Sequence, residues 1–208
     1  MTSTVLADDV IRAADDVLGG RDLRHRYVCV ADALGLRLHD EFIAAGYEDE
    51  VIVTMVHPGA FVEVAAHEVR SVSLDDVRGA MTRDWRVVLP DASEEHLRQL
   101  VDRTALYDLA ADTKRLAIYD GDVVAANAVV FVDRVDRIVQ FENLVTHADF
   151  RGRGYGEALV REGLRHAHEA GAEVRFLTAD LDDWPRHWYA RLGYVEVGRA
   201  HHFSRRPQ

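Results

Sequence analysis

The 208-residue sequence has a single cysteine and no long apolar run, and both shortages exclude classes of protein. One cysteine, Cys29, cannot form an internal disulfide, which favours a reducing compartment. It lies in the β-like segment 26–30, where we expect a buried structural thiol and not a nucleophile. No apolar run approaches the roughly 20 residues of a membrane-spanning helix. Residues 1–9 lack the basic and apolar regions of a signal peptide, so we expect a cytoplasmic protein that contacts no membrane.

Basic residues are also outnumbered by acidic ones: the sequence has 25 Lys and Arg and 36 Asp and Glu, which give a net charge of −11. Binding to DNA or RNA uses a basic surface, so no nucleic-acid partner is expected. The eleven histidines form no His-Glu-x-x-His pattern and no cluster with cysteine, so no metal site is expected. An acidic surface attracts cationic amines, but it equally serves solubility, so charge alone does not identify a ligand.

Alternating glycines and arginines stand out at residues 151–156, between an apolar run and a helix-like segment. Glycine lets backbone N–H groups turn outward and approach a ligand without a Cβ in the way. A helix that begins there adds unpaired N–H donors and the positive end of its dipole. Arg151 and Arg153 add positive charge. The pattern predicts a loop for a phosphate-bearing ligand; the alternative is a glycine-rich turn whose arginines serve solubility.

The spacing of the glycines excludes two common phosphate loops. A P-loop needs Lys and then Ser or Thr after its last glycine, where this chain has Glu157 and Ala158. A dinucleotide-binding fingerprint needs two residues between its second and third glycines, and only Tyr155 separates Gly154 from Gly156. The pattern that fits the sequence is Arg-x-x-Gly-x-Gly, which runs from Arg151 to Gly156.

Periodicity and turn signals predict an ordered series of elements around this loop. A capping signal at 91–94 and an apolar stripe of Leu97, Leu100, Val101 and Leu106 predict a helix. A hairpin follows, with strands at 115–119 and 123–132 and a turn at Asp120-Gly121. The later elements are a strand at 138–146, a helix from 157 to a stop at Gly171, a strand at 174–178, a short helix at 184–191, and one or two strands within 194–203.

This order, the Arg-x-x-Gly-x-Gly loop and the segment from Tyr189 to Gly193-Tyr194 resemble the GCN5-related N-acetyltransferase (GNAT) superfamily across roughly residues 85–205. The resemblance implies an α/β fold with a mixed, largely antiparallel central sheet flanked by helices. It also implies that the sheet opens between the strands ending near Thr146 and Thr178. It implies acetyl-CoA as co-substrate. The residues that it assigns to the coenzyme are Leu144, Val145 and Thr146 for the pantetheine arm, and Arg151, Gly152, Arg153, Gly154, Tyr155 and Gly156 for the pyrophosphate.

The resemblance also implies two catalytic residues for direct transfer from thioester to amine. An alkylammonium with a pKa near ~10 has no free lone pair, so it must lose a proton before it attacks. Glu142 corresponds loosely to a glutamate that serves as general base in several members; a solvent-facing or salt-bridged carboxylate is the alternative. Tyr189 corresponds to a tyrosine that acts as general acid beside the coenzyme sulfur; an aromatic core residue is the alternative. No Cys or Ser stands in a nucleophile motif, which agrees with direct transfer.

The sequence divides into an N-terminal αβ region, residues 1–84, and a GNAT-like domain, residues 85–208. In the first region a helix is followed by Gly46-Tyr47 and a strand, much as a helix is followed by Gly193-Tyr194 near the end. We interpret the region as a truncated, degenerate GNAT-like repeat; a coincidental αβ unit is the alternative. It lacks the glycine loop, so no coenzyme is assigned to it. Residues 73–76 open a short helix, and Trp85 begins the second part.

The predicted function is transfer of an acetyl group from acetyl-CoA to an amine, carried by a small molecule or a peptide. A second hypothesis is a catalytically weak acetyl-CoA-binding sensor or interaction module. A third keeps the enzyme but changes the acyl group. Fold resemblance does not fix the acceptor, and the sequence leaves both a monomer and a homodimer open.

Overall fold

The computed structural model describes residues 5–21, 25–59 and 66–206. Its helices are α1 (Ala7–Gly19), α2 (Asp32–Ala44), α3 (Leu74–Val88), α4 (Glu94–Asp102), α5 (Tyr155–Glu169) and α6 (Pro185–Arg191). Its strands are β1 (Arg26–Ala31), β2 (Glu48–Val56), β3 (Arg70–Val72), β4 (Asp112–Asp120), β5 (Val123–Asp133), β6 (Ile138–Thr146), β7 (Val174–Asp180) and β8 (Val195–Arg205). Short 3-10 helices lie at Arg103–Leu109 and Ala148–Phe150.

The eight strands form one sheet in the order β1-β8-β2-β7-β6-β5-β4-β3, flanked by helices. Neighbouring strands from β3 to β6 pair antiparallel, as do β1 and β8, whereas β6 and β7 run parallel. The predicted fold class, α/β with a largely antiparallel sheet, is confirmed. The chain divides into two compact units, Met1–Met55 with Thr178–Gln208, and Val56–Leu177. The predicted division after residue 84 is a division along the sequence, whereas these compact units interleave along the chain. The division therefore stays a prediction.

The first unit packs its two N-terminal helices on β1 and β8 through a core centred on Phe42. The Phe42 ring stacks on that of Phe203, with centroids 4.1 Å apart and planes 4° from parallel. Tyr47, 3% exposed, meets Phe42 edge-on at 5.1 Å. The other buried members of this core are Ala7, Val30 and Leu38.

Cys29 is exposed, so the prediction of a buried thiol is wrong. Its neighbour Val30 points into the core and is 7% exposed. Because successive strand residues face opposite sides of a sheet, Cys29 falls on the other face. Desolvation nevertheless raises the pKa of its thiol.

In the second unit, α3 is longer than the sequence indicated. Ser73 caps it reciprocally with Asp76, as the motif predicted. The helix then continues through Val88 and includes Trp85 in its last turn. Its buried face, Val77, Ala80 and Met81, packs with Ala117 and Val124 of the hairpin, and this stripe sustains the helix.

The next helix, α4, is capped by Ser93, whose hydroxyl accepts the N–H of His96 at 3.2 Å. Leu97 and Val101 are fully buried, as their spacing predicted. Leu106 was expected on the same stripe, but it is 62% exposed. The reason is that α4 ends at Asp102 and a 3-10 helix follows, which changes the periodicity.

The strands and helix around the glycine loop match their predictions closely. Strand β6 has the predicted bounds, and the β4–β5 hairpin turns at Gly121, whose φ is +60°. Helix α5 buries its predicted face, including Leu159 and Leu164, and it ends before Gly171, whose φ is +67°. This arrangement holds the end of β6 and the start of α5 on either side of the loop.

Candidate functional site

The loop between β6 and α5 has the backbone that a close approach to a ligand requires. Gly152 and Gly154 adopt φ of +75° and +81°, a left-handed conformation that favours glycine. Gly154 is the residue before the first turn of α5, and Ala158 N–H donates the first helical bond to its carbonyl at 3.1 Å. The N–H groups of the turn before Ala158 have no carbonyl partner within the helix. The loop therefore offers backbone donors at the positive end of a helix dipole.

The two arginines of the loop are placed differently. Arg153 forms an ion pair with Asp120, donates to the Asp149 carbonyl at 3.3 Å, and lies over the Phe150 ring at 5.3 Å. Arg151 donates from Nε to the Thr146 carbonyl at 3.2 Å and is exposed. Within the described part of the chain no carboxylate forms an ion pair with Arg151. Arg151 thus keeps its charge uncompensated, whereas Arg153 braces the loop against the hairpin.

His67 lies against the loop, although no sequence motif pointed to it. A Cβ added to Gly154 would be 3.4 Å from its Nε2. Its ring meets that of Tyr155 edge-on, with centroids 4.8 Å apart. His67 comes from the segment before β3, far from the loop in sequence, and only the tertiary fold brings the two together. The glycine at 154 keeps the space in front of this ring open.

Strand β6 changes its pairing in the middle of its length. Its parallel pairing with β7 covers four positions and ends at Phe141–Leu177, while β6 continues to Thr146. On the other side, the pairing with β5 shifts register opposite residues 127–129, and Asn143 has a φ of +50°. An inserted residue in one strand of a pair is a β-bulge, which re-aims the backbone around it. Among the described residues, β6 beyond Phe141 is paired with β5 at Glu142, Val145 and Thr146, and its pairing with β7 does not extend past Phe141.

Glu142 lies beside this bulge and is partly buried. Gln140 donates from its side-chain amide to Oε1 at 2.5 Å. Burial raises the pKa of Glu142, while the bonds from Gln140 and from the Asn143 N–H oppose that rise. No Lys or Arg of the described residues forms an ion pair with it, which does not support the salt-bridged alternative. The structure therefore shows a carboxylate whose affinity for a proton is greater than that of an ordinary glutamate.

Glu142 lines a cavity of about 700 Å³ in the second unit. The lining combines aromatic rings with a few polar groups, and its aromatic members are Trp85, Tyr107, Phe131 and Phe176. The Tyr107 and Phe131 rings meet edge-on at 5.2 Å. Asn143, the residue at the bulge, also faces this cavity. A mostly apolar cleft with a few convergent polar groups is the usual form of a small-molecule site.

Tyr189 belongs to the first compact unit, where it lies on α6 and is 9% exposed. Its ring is edge-on to Tyr194 at 5.8 Å and tilted against Trp188 at 5.0 Å. Its carbonyl accepts the N–H of Tyr194 at 3.1 Å, across the turn at Gly193. The general-acid assignment remains a proposal.

The same local geometry occurs a second time in the first unit. The carbonyl of Phe42 accepts the N–H of Tyr47 at 3.1 Å, across a turn at Gly46 whose φ is +80°. Phe42 thus occupies, in the helix before Gly46-Tyr47, the position that Tyr189 has before Gly193-Tyr194. Phenylalanine has no hydroxyl, so this first occurrence has no acid at that position.

The sequence-predicted residues therefore fall into two groups. The loop 151–156, the strand residues 144–146 and Glu142 lie in one compact unit, and Tyr189 lies in the other. Sequence reasoning missed His67, and it missed the cavity residues contributed by α3 and the 3-10 helix that follows α4. It also missed His147, whose Nδ1 lies 3.0 Å from Asp84 Oδ1. A histidine outside a sequence motif gives no indication of what it contacts, so only the folded structure shows the surroundings of His67 and His147.

Among residues 5–21, 25–59 and 66–206, no group of three or more His, Cys, Asp or Glu side chains is arranged to hold a metal ion. No helix in the same residues combines the length and the apolar character that crossing a membrane requires.

Comparison with known proteins places the loop and its flanking elements in a family. A family model described as an acetyltransferase (GNAT) domain matches residues 112–196. Glucosamine 6-phosphate N-acetyltransferase 1 of Oryza sativa subsp. japonica is 34% identical over 116 residues, which cover 51% of this chain and 67% of that protein. The uncharacterized N-acetyltransferase CgeE of Bacillus subtilis (strain 168) is 29% identical over 72 residues, and the match spans 28% of its length and 35% of this chain.

Among solved structures, a tandem GNAT protein from the clavulanic acid biosynthesis pathway matches 95% of this chain and 69% of its own chain. The TM-score is 0.67 at 12% sequence identity, so the likeness concerns the fold alone.

Proposed function

This chain belongs to the GCN5-related N-acetyltransferase superfamily, and we propose that it transfers an acetyl group from acetyl-CoA directly to an amine. The single observation that carries the proposal is the loop 151–156, because it joins two left-handed glycines to the start of α5 beside a strand with an open edge. The acceptor class, a small-molecule amine or a peptide, and the cytoplasmic location are parts of the same proposal.

The loop fits the pyrophosphate of the coenzyme. Phosphate oxygens accept hydrogen bonds from backbone N–H groups, and the start of α5 presents such groups with a favourable dipole. Any side chain at position 154 would approach Nε2 of His67 and fill the space in front of the donors. The charge of Arg151 adds attraction for the anion, and the ion pair between Arg153 and Asp120 holds the loop in place.

The open edge of β6 fits the pantetheine arm. Since pairing with β7 ends at Phe141, backbone groups of Leu144, Val145 and Thr146 on that side can bond an extended amide chain as an added strand would. The bulge at Asn143 separates this stretch from Glu142.

Acetyl-CoA supplies the thioester whose acetyl group is transferred. Glu142 accepts a proton from the acceptor ammonium, directly or through water, because burial has already raised the proton affinity of its carboxylate. The Tyr189 hydroxyl is a donor suited to the departing thiolate. The acceptor occupies the cavity that Glu142 lines. No covalent acyl-enzyme is part of this scheme.

The proposal is tested by incubating the protein with acetyl-CoA and a panel of amines, amino acids, polyamines, aminoglycosides and peptides. Release of the free thiol together with an acetylated amine supports it. Coenzyme binding without any acetylated product would instead support a sensor or interaction module. The same panel run with longer acyl-CoA esters addresses the choice of acyl group.

A further inference from the structure

The cavity lined by Glu142 also contains a guanidinium that no carboxylate neutralises. Arg103 begins the 3-10 helix after α4, lines the cavity, and lies with its Cζ 5.5 Å from the centre of the Trp85 ring. In the part of the chain that the structure describes, no Asp or Glu forms an ion pair with it.

The acidic residues nearest in sequence to Arg103 are already engaged by other arginines. Asp102 forms ion pairs with Arg78 and Arg98. Asp108, at the other end of the 3-10 helix, pairs with Arg115 at 2.8 Å. Arg103 is exposed and lines the cavity, while these acidic neighbours are paired with other arginines.

The other charged groups of the cavity are carboxylates with different surroundings. Asp133 accepts the N–H groups of Val135 and Asp136 at 2.9 and 3.0 Å, which ties it to the turn between β5 and β6. Glu142 receives the Gln140 amide and is the proposed base. One cavity therefore combines a carboxylate that can take a proton from an amine with a guanidinium that lacks an anion.

A guanidinium binds carboxylate and phosphate oxygens through paired, charge-assisted hydrogen bonds. Aromatic rings, among them Trp85 and Tyr107, supply the apolar part of the cavity. We propose that the acceptor is an amine that also carries an anionic group, a carboxylate or a phosphate, and that Arg103 binds this group. The inference rests on the proposed function, because it assigns the amine end of the same acceptor to Glu142. A polyamine offers Arg103 no anion, so this proposal does not favour polyamines as acceptors.

The test compares matched pairs of acceptors that differ in the anionic group. Phenylalanine is paired with phenylalaninamide, and glucosamine 6-phosphate with glucosamine. Both members of the first pair carry an aromatic ring, and only phenylalanine has a carboxylate, so this pair measures recognition of a carboxylate. The second pair measures recognition of a phosphate. Two readouts are used: kcat/KM with acetyl-CoA, and calorimetric binding of each amine to the complex of the protein with CoA, which needs no turnover.

In at least one pair the anionic member should be favoured about tenfold or more in kcat/KM or in affinity. Arg103→Gln should abolish that preference while changing the values for the neutral member less than about twofold. Arg103→Lys should retain part of the preference, since it keeps the charge and loses the paired geometry. Arg134→Gln is the matched control, because Arg134 is an exposed arginine that pairs with Asp112 and is not among the cavity residues. It should keep the wild-type preference.

Three results would overturn the inference: equal values within both pairs, a preference that survives in Arg103→Gln, or no measurable binding of any of the four compounds. Circular dichroism and the melting temperature establish that Arg103→Gln is folded. If anionic amines bind in an Arg103-dependent way but no acetylated product forms, the substrate class stands and the proposed catalytic function fails. If neutral amines are acetylated with no effect of Arg103, the function stands and the substrate class fails.

Discussion

A Cβ added to Gly163 would lie 2.1 Å from Cε1 of Phe141, so α5 packs on β6 at a distance that only glycine permits. Helix α5 carries the glycine loop at its start, and β6 carries Glu142 next to Phe141. This contact therefore sets the position of the loop relative to the strand that bears the proposed base.

Gly163→Ala should destabilise the protein by about 1–3 kcal/mol, because the added methyl group overlaps a buried ring in a packed core. It should also weaken coenzyme binding, since α5 must move to relieve the overlap. The free energy of unfolding from urea titration and the Kd for CoA from calorimetry measure the two effects.

Gly79→Ala provides the control within another helix. A Cβ at Gly79 meets nothing within 4 Å, so this variant should be more stable than wild type by about 0.5–1 kcal/mol. Equal stability of the Gly163→Ala and wild-type proteins would mean that the close approach of α5 to β6 is not a constraint.

Gly154→Asp should abolish detectable CoA binding. The new side chain is forced into a left-handed backbone, and it places bulk and negative charge where the pyrophosphate is proposed to lie. Gly171→Asp carries similar backbone strain at the other end of α5, where a Cβ meets nothing within 4 Å. Its Kd for CoA should stay near the wild-type value. Unchanged affinity in Gly154→Asp would refute the assignment of the loop.

Glu142→Gln should lower kcat by roughly 10²–10⁴, the usual contribution of a general base. A base works only when deprotonated, so the wild-type rate should fall as the pH drops through the raised pKa of Glu142. The variant should lose this acidic limb with the same acceptor. Glu173→Gln, at an exposed glutamate paired with Arg137, should leave rate and pH profile unchanged. A slower variant with the wild-type pH profile would show that Glu142 is not the base.

The same carboxylate should reduce stability at neutral pH. Because burial raises its pKa in the folded state, the folded protein holds this proton more tightly than the unfolded chain does. The stabilisation by this bound proton is fully present below the pKa that Glu142 has in the unfolded chain. It is lost as the pH rises through the pKa that Glu142 has in the folded protein. Glu142→Gln should therefore have a higher Tm than wild type at pH 7, and the difference should shrink near pH 4. A lower Tm at pH 7 would contradict the burial argument.

Tyr189→Phe should reduce turnover while leaving CoA affinity nearly unchanged, because the ring packing is kept and only the hydroxyl is removed. Tyr47→Phe removes a buried hydroxyl from the other Gly-Tyr turn of the same unit and should not affect the rate. Single-turnover rates measure the comparison. Wild-type turnover in Tyr189→Phe would exclude a general acid at this position.

The elements closest to the loop were the most predictable from sequence. The glycine-rich pattern marks the loop, where Gly152 and Gly154 have left-handed backbone, and the flanking segments carry clear signals: an apolar stripe along α5 and a mostly apolar β6. These signals lie within each element, so the sequence of the element itself was enough to predict the loop, α5 and β6.

The parts of the site that sequence reasoning missed depend on long-range contacts. His67 comes close to the loop only in the folded chain, and Arg103 lines the cavity together with residues that are distant in sequence, such as Trp85 and Glu142. The change from α4 to a 3-10 helix explains why Leu106 is exposed. The prediction for Cys29 was wrong because burial alternates along β1, and Cys29 lies on the exposed face. Its apolar neighbours Val28 and Val30 made the whole segment look buried.

The most direct test is to incubate the purified protein with acetyl-CoA and the amine panel, and to measure free thiol and acetylated product by mass spectrometry. The account predicts one acetylated amine for each thiol released, with both lost in Gly154→Asp and retained in Gly171→Asp. Tight binding of CoA with no acetylated product from any amine would contradict it.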